Sequence, residues 1–104
     1  MPTIDLTITN EVGLHARPAA LFVRKASSFK DCQITVQNIT KGGRVVNAKS
    51  MVSVLTLGVE QGHQIRLEVN GDQAEEAISE IKGLVDANFG EEVNKTEDQE
   101  PQNQ

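Results

Sequence analysis

Tryptophan and tyrosine are absent from this chain, and phenylalanine occurs three times in 104 residues. Surfaces that stack nucleic-acid bases need aromatic rings among their cations, so a nucleic-acid partner is not expected. A single cysteine, Cys32, excludes an internal disulfide. No apolar run approaches the ~18–20 residues of a membrane span, so membrane insertion is not expected. The opening stretch MPTIDLTITN has neither the basic start nor the apolar centre of a secretion signal, and a cytoplasmic location is expected. On that reading the NIT at 38–40 and the NKT at 94–96 match the glycosylation pattern by chance. The chain also lacks a carboxylate cluster suited to Mg²⁺ and a glycine-rich nucleotide loop. No cofactor or metal is expected, and phosphate would not be taken from a nucleotide unaided.

The formal net charge is −5 and is unevenly spread. Residues 91–104, EEVNKTEDQEPQNQ, hold five acids against Lys95, with Val93 as the single large apolar residue. Such a stretch cannot bury enough surface to offset its ordering entropy. A disordered acidic tail is expected there, with residues 1–90 as one folded domain. Within that domain, residues 1–50 carry seven bases and three acids, and residues 51–90 carry two bases and seven acids. The asymmetry fits either a face made for an acidic partner or scattered solvated charge.

Periodicity supplies the elements. TIDLTIT, 3–9, alternates through Ile4, Leu6 and Ile8 and reads as a half-buried strand. Ala19, Phe22, Val23, Ala26 and Phe29 are spaced by three and four, which predicts an amphipathic helix over 16–29. CQITVQ at 32–37 alternates again, and the loop NITKGG joins it to RVVN as a hairpin. Ser50 precedes a short apolar run stopped by Gly58, so a second helix is placed near 51–57 with Ser50 as its N-cap. HQIRLEV at 63–69 is a fourth strand. DQAE at 72–75 reads as a capping box, Asp72 capping and Glu75 reaching back, ahead of a helical stripe from Ala74 to Val85. The order is βαββαβα. Each strand is apolar on one face only, so the expected fold is α+β, a two-layer open-faced sandwich with three helices on one side of the sheet.

The chemistry gathers in GLHARPAA, residues 13–20. His15 falls at the N-cap of the first helix, and Ala16 and Arg17 open its first turn. Backbone N–H groups there have no partner inside the helix, and the helix dipole favours an anion beside them. Pro18 is tolerated because a first-turn position needs no intrahelical donor. Arg17 adds a planar, permanently charged donor suited to phosphate. Imidazole is nucleophilic near neutral pH, its ordinary pKa being about 6.5. Together these groups suit a phosphoryl group carried on the histidine nitrogen, and the dipole's ~0.3–1 kcal/mol is mild enough to permit release. A capping histidine without chemistry fits the local pattern equally well. His63, beside Gly62 with no adjacent base, is expected to be inert.

GLHARPAA, then NAKSMVSVLTLG, then an alternating strand and a closing helix resemble HPr, the histidine-containing phosphocarrier family of the bacterial sugar phosphotransferase system. The resemblance covers residues 3–90 in order. It implies a four-stranded antiparallel sheet with three helices on one face. It also implies phosphorylation of His15 on Nδ1, with Arg17 assisting and the Ala16 N–H beside it. Ser50 matches the family's regulatory serine. The implied partners are Enzyme I as donor and enzyme IIA proteins as acceptors. Where Ser50 is modified, HPr kinase/phosphorylase and a catabolite-control transcription factor join them. The implied docking surface takes Met51, Val52 and Leu55 with Ala20 and Arg24 on the outer face of the first helix, and Lys49 in a basic rim. The chain would be a covalent carrier without turnover of its own, and a monomer. A regulatory binding protein acting through Ser50, or a carrier in the nitrogen-related branch, remain open alternatives. The NITKGG connection is longer than the family's usual hairpin and is expected to lie away from His15. The acidic segment is not a general family feature.

Overall fold

The computed structural model describes residues 2–90; the expected disordered segment 91–104 lies outside them. The elements are β1 (Thr3–Thr7), α1 (Ala16–Ser27), β2 (Cys32–Asn38), β3 (Val46–Asn47), α2 (Met51–Leu55), β4 (Gln64–Gly71) and α3 (Ala74–Asp86), with a 3₁₀ turn at Asn88–Gly90. The strands form one antiparallel sheet in the order β1-β4-β2-β3, as expected for the open-faced sandwich. Each strand alternates: Ile34 and Val36 of β2, and Ile65, Leu67 and Val69 of β4, are buried while their neighbours face out. The helices supply the other layer with Phe22, Ala26, Val54, Ile81 and Val85. Burying each large side chain contributes about 1.5–3 kcal/mol, so the sheet's one apolar face requires that cover.

Helices α1 and α3 run antiparallel, and three pairs fix their alignment. Arg17 meets Phe89, Leu21 and Leu84 line one depression, and Lys25 pairs with Glu80 at 3.2 Å. The start of α1 therefore lies beside the end of α3.

Several boundaries differ from the sequence reading. β1 ends at Thr7, although the Ile8 N–H still donates to the His63 carbonyl at 2.9 Å. α1 ends at Ser27 and α2 at Leu55, each closed by tightening last-turn bonds. Only Val46 and Asn47 of RVVN pair with β2. The capping box at 72–75 does not form: the N-cap of α3 is Gln73, with no side-chain bond. The apolar stripe decides this, since Ala74 is the first residue whose burial the helix secures. The loop at 38–43 rests on the 57–64 turn through Asn38. Its Nδ2 donates to the Leu57 carbonyl at 3.2 Å and its Oδ1 accepts from the Lys41 N–H at 3.2 Å.

Candidate functional site

The segment between β1 and α1 is clamped before it reaches His15. Asn10 is buried and donates from Nδ2 to the Gly13 carbonyl at 2.9 Å. Gly13 has φ +64, and a Cβ there would lie 2.3 Å from the Val59 carbonyl oxygen, so only glycine fits. The next residue, Leu14, is buried and donates its N–H to that same carbonyl at 3.0 Å. With Leu14 pointed inward and its backbone bonded, the chain emerges with His15 exposed.

His15 is the N-cap of α1, extended at φ −97 and ψ −160, and its side chain makes no capping bond. Its carbonyl accepts the first helical bond, from the Ala19 N–H at 2.8 Å. The N–H groups of Ala16 and Arg17 come before that bond, and Pro18 has none to offer. Both residues are exposed. Two donors, an unengaged imidazole and a helix terminus thus share one wet surface. The Arg17 guanidinium is turned toward the end of α3, with Nη1 3.4 Å from the Phe89 carbonyl. Glu11, Val12, Glu60 and Gln61 complete a shallow depression beside His15. Two of these lining residues, Glu11 and Glu60, are acidic.

Ser50 caps α2, its Oγ accepting from the Ser53 N–H at 3.3 Å. Helix α2 packs against α1. It buries Val54 and turns Val52 outward at 73% exposure and Leu55 at 43%, while Met51 is half-buried. Ala20 is half-buried, and Arg24 is exposed with no ion pair among the described residues. Lys49 is placed differently from the expected basic rim. Its Nζ donates to the carbonyls of Phe29 at 2.8 Å and Cys32 at 2.6 Å, beyond the far end of α1. An ammonium held by two carbonyls there serves the turn after the helix.

Comparison with known proteins agrees with this geometry. The family model described as "PTS HPr component phosphorylation site" matches residues 2–87. The chain belongs to the HPr family. HPr from Vibrio cholerae is 43% identical over 82 residues, 79% of this chain and 92% of that protein. A crystal structure of HPr-C-His from Thermoanaerobacter tengcongensis is 47% identical with a TM-score of 0.81, covering 88% of this chain and 99% of that one. The multiphosphoryl transfer protein of Haemophilus influenzae is 41% identical over 95 residues, 91% of this chain but 19% of that protein. The chain spans only about a fifth of the length of the multiphosphoryl transfer proteins it matches.

Around His15 and Arg17, sequence reasoning missed the neighbours Glu11, Glu60, Gln61 and the Phe89 carbonyl. The 57–64 turn carries no motif, and a backbone oxygen leaves no trace in residue type. His63 also proves to have a structural task. Its Nδ1 accepts from the Glu60 N–H at 3.1 Å and faces Asn38 Nδ2 at 3.2 Å, which places the ring proton on Nε2.

Proposed function

We propose that this HPr-family chain relays a phosphoryl group from Enzyme I to sugar-specific enzyme IIA proteins through Nδ1 of His15. The Nδ1 lone pair attacks phosphorus in line, the bond to the donor's leaving group breaks, and the leaving group keeps that electron pair. The acceptor repeats the step in reverse on the far side. Ala16 and Arg17 N–H groups and the Arg17 guanidinium hold the phosphoryl oxygens, so positioning and charge do most of the catalysis. Met51, Val52, Leu55, Ala20 and Arg24 form the docking surface. Lys49 is left out of it, because its ammonium is already engaged. The single observation that carries this reading is the exposed, unengaged His15 ring at the start of α1.

Ser50 acts as a regulatory site in this reading. A phosphate there adds close to two negative charges. They would stand next to Met51 and Val52, inside the docking surface, and repel an acidic partner. HPr kinase/phosphorylase and a catabolite-control transcription factor are the partners this adds, in the cytoplasm.

The test is incubation with Enzyme I and labelled phosphoenolpyruvate. Acid-labile, alkali-stable label on the wild type, lost in His15→Ala, is the expected result. A wild-type chain that takes no label sinks the carrier reading and leaves regulatory docking through Ser50.

A further inference from the structure

His63 stands just before β4, is half-buried, and uses its ring as an acceptor. The Glu60 N–H donates to Nδ1 at 3.1 Å, and a backbone N–H has no other role. The second contact is settled by Asn38, which is fully buried. Its Oδ1 accepts from the Lys41 N–H at 3.2 Å, so Nδ2 is the atom that faces the Leu57 carbonyl and His63 Nδ1, each at 3.2 Å. One lone pair thus closes the 57–63 turn on itself and ties it to the end of β2. A proton on Nδ1 would set a third donor against these two and break both contacts.

The same turn holds the segment that delivers His15. Gly62 N–H donates to the Ile8 carbonyl at 2.7 Å, Ile8 N–H to the His63 carbonyl at 2.9 Å and Leu14 N–H to the Val59 carbonyl at 3.0 Å. Gln61 Nε2 adds a bond to the Thr9 carbonyl at 3.1 Å. Val59 is wholly buried, and Glu60 and Gln61 line the depression beside His15. We propose that His63 is a positioning residue for His15. Its Nδ1, as an acceptor, sets the shape of the 57–63 turn, and the turn sets residues 8–14 and so the place of the imidazole. It acts through the Leu14–Val59 bond and not on the phosphoryl group. The effect on rate rests on the carrier reading given above; the effect on the His15 segment does not.

The test compares three variants of the full chain. His63→Asn puts Oδ1 two bonds beyond Cβ, as Nδ1 is, and keeps an acceptor. His63→Gln carries its carbonyl one bond too far, and His63→Leu has none. At saturation, labelling of His15 by Enzyme I should slow roughly 10-fold in the Leu and Gln variants, since a displacement of 1 Å costs on the order of 100-fold. The Asn variant should stay within about 2-fold of the wild type, and the half-saturating chain concentration should hold within about 2-fold in all three. Backbone amide signals of Leu14, Ala16 and Arg17, recorded without a partner, should move in the Leu and Gln variants and return in Asn. In the wild type, the His63 ring nitrogens should report a bare Nδ1 and a protonated Nε2. Wild-type labelling in the Leu and Gln variants overturns the proposal. So does equal slowing of all three, because the ring would then serve by shape alone, and so does a proton on Nδ1. Should the Leu variant not fold, the Gln variant decides. A wild type that takes no label refutes the carrier reading, and the amide signals then decide the positioning role: unmoved in Leu and Gln they overturn it, moved there and restored in Asn they uphold it.

Discussion

The Arg17 guanidinium spans 72 residues of sequence to place Nη1 3.4 Å from the Phe89 carbonyl. The turn that presents this carbonyl is strained. Asn88 and Phe89 have φ +54 and +57, a left-handed conformation that costs non-glycine residues about 1–3 kcal/mol each. Burial of the Phe89 ring, 1% exposed, holds the turn in place, and Thr9 Oγ1 steadies it by donating to Asn88 Oδ1 at 2.7 Å. The bond to Arg17 is long, and a guanidinium has five N–H donors. Arg17 is thus lightly tethered, with a single long side-chain bond.

Removing that side chain should separate function from folding. Arg17→Ala loses one long bond at an exposed site, so stability should fall by less than about 1 kcal/mol. Loss of charge-assisted bonds to the phosphoryl group should slow labelling of His15 by about 10- to 100-fold. Arg17→Lys should recover only part, because an ammonium lacks the planar fork. Denaturant unfolding and labelling rates, measured on the same preparations, check both halves. An Arg17→Ala chain labelled at the wild-type rate would remove Arg17 from the site.

Ser50 offers a cleaner separation. Ser50→Ala deletes the oxygen that accepts the Ser53 N–H and should cost about 0.5–2 kcal/mol. Ser50→Asp keeps an N-cap acceptor, so its stability should stay within about 0.5 kcal/mol of the wild type. Its added charge should nonetheless slow phosphoryl transfer at low salt, and salt should relieve the defect. Equal transfer by the two variants would show that charge at this position does not matter.

Much of this was legible in the sequence, for a definite reason. A sheet buried on one face must alternate, and a covering helix must repeat every three or four residues. Ile34, Val36, Phe22, Ala26 and Ile81 therefore announce their surroundings. The placement of His15 and Arg17 at the start of α1 was legible because an N-cap is a local event. The contacts that escaped are between distant residues and involve backbone atoms: Arg17 to the Phe89 carbonyl, Lys49 to the Phe29 and Cys32 carbonyls, Glu60 N–H to His63. The capping box at 72–75 misled because cap chemistry is weak beside burial of the stripe that begins at Ala74.

Gly13 should be the least replaceable glycine of the site. A left-handed backbone alone costs an alanine about 1–2 kcal/mol. Gly62, at φ +91 with open space where a methyl would sit, isolates that strain. At Gly13 a methyl would also strike the Val59 carbonyl oxygen at 2.3 Å. Gly13→Ala should therefore destabilise by clearly more than Gly62→Ala. It should also slow labelling of His15, because Leu14 can no longer keep its bond to Val59 undisturbed. Equal unfolding free energies for the two variants would mean that the clash relaxes at no cost.

The acid limb of stability should contain a contribution from one exposed pair. Asp5 and Arg66 face each other across β1 and β4, with Nε to Oδ1 at 2.8 Å and Nη2 to Oδ2 at 3.0 Å. Hydrogen bonding to Arg66, opposed by desolvation and assisted by the guanidinium charge, holds the Asp5 carboxyl below its ordinary value of 3.8. A carboxyl whose pKa is lowered on folding stabilises the fold above its unfolded pKa. That contribution is lost as pH falls through the lower, folded value. The loss should therefore appear below about pH 4 and be absent at neutral pH. Asp5→Asn should flatten the curve of unfolding free energy against pH in that window, with a small effect at pH 7 because both groups are solvated. Arg66→Gln should flatten it in the same way, and the double variant should add nothing further. Unfolding curves for the four proteins between about pH 2 and pH 7 decide the matter. A wild-type acid limb reproduced by Asp5→Asn would show that this ion pair does not contribute.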